Sequence, residues 1–132
     1  MKRFLLVVAA VALAAPAVVA QTFSNVSLAD ANVAPGSWVL AQVITQTASG
    51  TFTVTQVKVV NTATDPLSGT DVERIEVWRA SDGKVMGAVA TGFANFTTAG
   101  IEIPTTANNA FNDAFDLEIW VKVQVSASLR QK

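Results

Sequence analysis

The 132-residue chain has no cysteine, no histidine and no tyrosine. Without cysteine there is no disulfide framework, so an exported domain of this composition must be held together by its apolar core. A length of about 110 residues permits that. Lacking both histidine and cysteine, the chain cannot build the usual nucleophile–base pairs or the commonest zinc, copper and haem sites. Charge is also scarce: only 14% of residues are Asp, Glu, Lys or Arg, with no basic cluster beyond Lys2-Arg3. That argues against nucleic acid and anionic membrane surfaces as partners.

One long apolar run is present. Met1-Lys2-Arg3 leads into Phe4–Ala20, 17 residues without a charge, and Val18-Val19-Ala20 gives way to a Thr/Ser/Asn-rich stretch from Gln21. Positive start, apolar middle and small-residue exit are the signature of a secretory signal peptide. The competing readings are a membrane anchor, for which the run is short against roughly 30 Å of hydrocarbon and is broken by Pro16, and a pilin-like stalk, which would want a small residue before Phe4. The expectation is a helical signal peptide over 1–20, Sec-type export to the periplasm, cell surface or medium, and no membrane attachment after cleavage. Removing 1–20 leaves seven basic against ten acidic residues, a net charge of −3.

The remainder reads as strands. Over Asp116–Ala127, Leu117, Ile119, Val121, Val123, Val125 and Ala127 alternate with polar residues and Trp120, which predicts one buried and one wet face. In Thr51–Asn61 the apolar phase switches between Phe52/Val54 and Val57/Val59, which predicts a bulge or a strand passing between sheets. Asp71–Arg79 places Ile75 and Val77 opposite Arg74, Glu76 and Trp78, and Ala80-Ser81-Asp82-Gly83 predicts a hairpin to Lys84–Ala90. Ser37–Gln46 is apolar in both phases, as for a strand covered on both faces, and Thr47-Ala48-Ser49-Gly50 is of hairpin length. Phe93–Thr98 and Gly100–Ile103 are shorter strand candidates, with loops over Asn61–Thr70 and Thr105–Ala114.

About seven short antiparallel strands at this spacing make an all-β sandwich. Val57-Lys58-Val59-Val60-Asn61-Thr62, and Glu73–Arg79 followed by Ser81-Asp82-Gly83-Lys84, resemble the extracellular immunoglobulin-like or fibronectin-III-like modules of bacteria and archaea. The resemblance implies Greek-key wiring and a surface or secreted role, and nothing finer. The expected organisation is a signal peptide at 1–20, an extended N-terminal segment at 21–36, the sandwich at 37–128 and a polar tail at 129–132. In the 21–36 segment, Phe23, Val26 and Leu28 could form a strand that folds onto its own sheet or pairs with the sheet edge of a neighbouring copy.

No nucleophile motif is present, and Asp71, Glu73, Glu76 and Glu118 read as solvated strand residues rather than a glycosidase pair. Asn108, Asn109, Asn112, Asp113 and Asp116 offer hard oxygen ligands in one loop, a weak calcium candidate that matches no EF-hand spacing. No other cofactor is expected, and no enzymatic activity. Trp38, Trp78 and Trp120 are the residues most indicative of contact, because Trp78 and Trp120 fall on polar phases. They would serve an assembly interface, a sugar-stacking face, or the capping of the sandwich. Two functional expectations result. The first is a structural surface protein that self-associates, or binds another surface protein, as a filament or coat subunit. The second is a carbohydrate-binding or adhesion module.

Overall fold

The computed structural model describes residues 3–4, 6–14, 23–26, 31–46, 51–62, 67–112 and 118–129, with the backbone alone for 3–14, 24, 31 and 32. Among the described residues eleven strands follow one another. They are β1 (Arg3–Phe4), β2 (Leu6–Ala14), β3 (Phe23–Val26), β4 (Ala31–Asn32), β5 (Trp38–Gln46), β6 (Thr51–Asn61), β7 (Val72–Arg79), β8 (Lys84–Val89), β9 (Ile101–Pro104), β10 (Ala110–Asn112) and β11 (Glu118–Val125). Among the described residues there is no α-helix, and none therefore long and apolar enough to cross a membrane.

The strands form two antiparallel sheets. One runs β3-β5-β11-β7-β8. In the other, β6 pairs with β2 along one edge and with β9 and β10 along the opposite edge. The two-residue strands β1 and β4 pair with each other. Alternation in β11 buries Ile119, Val121, Val123 and Val125, and β7 buries Ile75 and Val77 on the same side. Val54, Val57 and Val59 of β6 and Ile103 of β9 meet them from the second sheet, and Phe96 and Leu67 complete the core.

The phase switch in β6 is a bulge. Its register against β2 slips between Leu13↔Val54 and Ala12↔Gln56, leaving Thr55 unopposed. Thr105 bridges the irregularity from the other side: its N–H donates to Thr55 O at 3.1 Å and its Oγ1 to Val54 O at 2.6 Å. The β7–β8 hairpin also forms as its turn residues dictate, with Gly83 at φ +64° and Arg79 clasping Asp82. Elsewhere the two sheets come very near each other. A Cβ on Gly87 of β8 would lie 2.1 Å from the Pro104 carbonyl oxygen, so only glycine fits there.

Four expectations are corrected. β5 and β6 do not form a hairpin; they belong to different sheets, and residues 47–50 between them lie outside the described residues. Sheets pack about 10 Å apart, a gap that a four-residue link spans as easily as it closes a hairpin. Strand β5 is not covered on both faces. Its mixed phase comes from a register shift opposite Val121/Lys122, which buries both Ala41 and Gln42 and leaves Trp38 and Leu40 outside. Phe93–Thr98 is not a strand but a 3-10 turn, Phe93–Asn95, followed by further turns, because Phe93 and Phe96 at i, i+3 both point inward. The apolar N-terminal run, expected as a helix, is extended over Leu6–Ala14. An apolar run of this length does not by itself distinguish helix from buried strand. Beside the free edge of β6, its backbone groups find partners in a ladder.

Candidate functional site: the outer face of the five-stranded sheet

Registers across the large sheet place its outward residues in rows. Val26, Val43, Trp120, Trp78 and Val85 lie side by side on five successive strands. The next row is Leu40, Lys122, Glu76 and Ala88, and the third is Trp38, Gln124 and Arg74. A single apolar stripe therefore crosses the whole sheet, flanked by charge toward β7 and by more apolar surface toward β5.

The β7–β11 half is locked by polar contacts. Lys122 Nζ sits 3.9 Å from the ring centroid of Trp78 and 5.6 Å from that of Trp120, an attraction between cation and ring quadrupole. Trp78 Nε1 donates to Glu76 Oε1 at 3.3 Å, and Trp120 Nε1 donates to Glu118 Oε2 at 3.0 Å. Arg74 Nε closes the chain of contacts onto Glu76 Oε2 at 3.0 Å. Both indoles are held at their N–H groups, and one face of Trp78 already has a cation on it.

The β3–β5 half is open. Trp38 is 45% exposed, Leu40 44% and Val26 37%, the three large apolar residues most exposed among those described. Beneath them Gln42, almost fully buried, ties the edge strand to the sheet: its Nε2 donates to both Val26 O and Val43 O at 2.8 Å. The Gln42 side chain thus reinforces a ladder of four residue pairs between the edge strand and β5.

Of the residues singled out from the sequence, Trp38, Trp78, Trp120 and Val26 share this face. Phe23 does not. It is turned inward, edge-on to Phe52 at 5.5 Å, and Phe52 stacks on Phe111 at 5.3 Å. Leu28 lies outside the described residues, as do Asp113 and Asp116. Asn109 and Asn112 do not converge: the Asn109 Nδ2 donates to Thr105 O, and Asn112 stands opposite Thr51 in the β10–β6 ladder. Among the described residues no three acidic side chains gather where a metal ion could sit. Asp71 caps a 3-10 turn, accepting from Ser68 N and Oγ at 2.8 Å, and Glu76 is bound into the Trp78 cluster. The sequence reading missed Leu40 and Lys122. Leu40 shares the i, i+2 phase of Trp38, a signal hidden by the bulge just after it. For Lys122 the signal was its spacing from Trp120, but the contact with Trp78 needs the β7–β11 register.

No protein-family model, no curated protein and no solved structure matches the chain.

Proposed function

We propose that the protein is an exported, non-enzymatic structural surface protein whose subunits associate through the outer face of the five-stranded sheet. The two packed antiparallel sheets support the sandwich part of the sequence reading. The apolar N-terminal run with its positive start supports export. The observation that carries the self-association reading is the open patch of Val26, Leu40 and Trp38 on one continuous face, because apolar patches of this kind mark contact surfaces. Low overall charge leaves little electrostatic repulsion between copies. A sugar-stacking role for Trp78 is disfavoured by Lys122, which covers the ring face a pyranose would use.

The test is sedimentation velocity on the exported protein and on Leu40→Glu. Burying one leucine contributes about 1.5–3 kcal/mol, so the substitution should weaken association at least tenfold. An exported protein that remains monomeric over the accessible concentration range would overturn the reading. Glycan binding abolished by Trp38→Ala would replace it with the adhesion module.

A further inference from the structure

The free edge of β6 is filled, in this chain, by the very segment that the export reading removes. Strand β2 pairs with β6 from Leu6↔Asn61 to Ala14↔Thr53 and also runs close to β3 and β5 of the facing sheet. Take residues 1–20 away, and β6 with the short strands β9 and β10 must face a five-stranded sheet alone. Roughly eight backbone N–H and C=O groups along the β6 edge then lose their partners. Val54, Val57 and Val59, all fully buried, lose the strand alongside them. An edge so long and apolar pairs with any strand that fits it.

The sequence contains one that fits. In the ladder, Ala9, Val11 and Leu13 are the partners of Val59, Val57 and Val54. The same order of small residue, valine and leucine at alternate positions recurs just beyond the cleavage site. Ala9-Ala10-Val11-Ala12-Leu13-Ala14 has its counterpart in Ser24-Asn25-Val26-Ser27-Leu28-Ala29. In its present place on the edge of the large sheet, Phe23 is half-buried against Phe52 and Val26 lies at the surface. Moved beside β6 in the β2 register, the valine–leucine phase would turn inward instead.

The chain's own segment cannot make that move. Laid in the direction of β2, it would end with Ala29 opposite Thr53, at the end of the sandwich where Phe23 meets Phe52 and pairs with Gln46. Ala34 is fixed at the other end, where its carbonyl accepts from Ser37 N and Oγ and Gly36 N reaches the Val125 carbonyl. The intervening β5 is about 27 Å long at the usual rise per residue, whereas the five steps from Ala29 to Ala34 reach about 18 Å.

We propose that, once residues 1–20 are removed, the β6 edge accepts Ser24–Ala29 of a second copy, with Asn25 opposite Lys58 and Val26 opposite Val57, and that residues 6–14 keep the edge closed until then. The proposal rests on the export reading for its trigger. Each copy donates at its N-terminus and accepts at β6, a head-to-tail contact that propagates as a filament where its rotation does not close a ring.

The test uses the full chain with a protease site inserted between Ala20 and Gln21. It is sized by light scattering before cleavage, and again after cleavage and refolding from denaturant to release the 1–20 peptide. Before cleavage nothing larger than the small oligomers of the sheet-face contact is expected, and after it polymers. Because the chain has no cysteine, Asn25→Cys and Lys58→Cys variants can be cleaved, mixed and oxidised; a mixed disulfide dimer is expected, at least tenfold over that from Asn25→Cys mixed with Glu73→Cys. Val26→Asp, at an exposed position, should leave uncleaved chain folded and abolish the Asn25–Lys58 cross-link together with polymer, whereas loss of the sheet-face contact alone would spare the cross-link. A cleaved chain that stays monomeric, or cross-linking no better than the Glu73→Cys control, overturns the proposal. Two readouts separate this from the readings beneath it. Leu40→Glu leaves the Asn25–Lys58 cross-link intact if only the sheet-face interface is wrong. A secreted protein whose N-terminal mass retains residues 1–20 refutes processing while leaving the strand exchange measured on the cleaved chain.

Discussion

Replacing Thr105 by valine isolates one hydrogen bond at almost constant shape. Thr105 is 2% exposed, and its hydroxyl donates to the Val54 carbonyl at 2.6 Å, beside the bulge at Thr55. The Thr105 N–H bond to Thr55 O at 3.1 Å survives the change. What is lost is a hydrogen bond whose buried acceptor is left short of a partner, a cost of about 1–3 kcal/mol. For a domain of this size that lowers Tm by about 4 °C per kcal/mol. Urea unfolding followed by fluorescence of the three tryptophans reads the change as a lower midpoint at unchanged slope. Thr105→Ser keeps the hydroxyl and removes one methyl, so it should cost about 1 kcal/mol through the small cavity alone. If valine costs less than serine, the bond to Val54 does not hold the bulge in place, and the account of β6 given above is wrong.

Three further perturbations probe other parts of the sandwich. Gly87→Ala forces a methyl toward the Pro104 carbonyl and should destabilise by about 1–3 kcal/mol in the same urea assay, whereas Gly→Ala at an unhindered position with negative φ would stabilise. Lys122→Met removes the cation over Trp78 while keeping the stem, for a loss of about 0.5–1 kcal/mol and a change in tryptophan emission; unchanged emission would mean the lysine does not rest on the ring. The Arg79 guanidinium, hydrogen-bonded to Asp82, holds that carboxyl below its ordinary value of 3.8. A lowered folded-state pKa gives stability that is present above 3.8 and lost as pH falls through the folded value. Asp82→Asn should therefore flatten the acid limb of the stability profile below that pH and leave the slope at neutral pH unchanged.

Much of this fold was legible because its strands have one wet and one dry side. β11 and β7 announce themselves by alternation, and the phase switch in β6 marks an irregularity, a bulge or a passage between sheets, of which the structure has the bulge. The β7–β8 turn was equally plain, since Asp82-Gly83 supplies the backbone such a turn needs. Connections that are chemically neutral were not legible. Residues 47–50 have the length of a hairpin and the length of an arch, and only the partners of β5 and β6 decide between them. Phe93 and Phe96 fit a strand by composition and a 3-10 turn by spacing. For the outer face, the sequence pointed to three tryptophans. Their division into a pair locked by Lys122, Glu76 and Glu118 and a single open indole at Trp38 depends on cross-strand register, a long-range property that no local pattern encodes.

The position of β11 also has a kinetic consequence. It comes last in chain order among the described strands, yet it sits in the middle of the large sheet, joining β5 on one side to β7 on the other. Until residues 118–125 exist, neither of those strands has its central partner, and the earlier part of the chain has nothing stable to collapse onto. Pairings between residues so distant in sequence also form slowly, on the order of milliseconds to seconds. A chain wired in this way completes its large sheet only when its most distant pairings have formed.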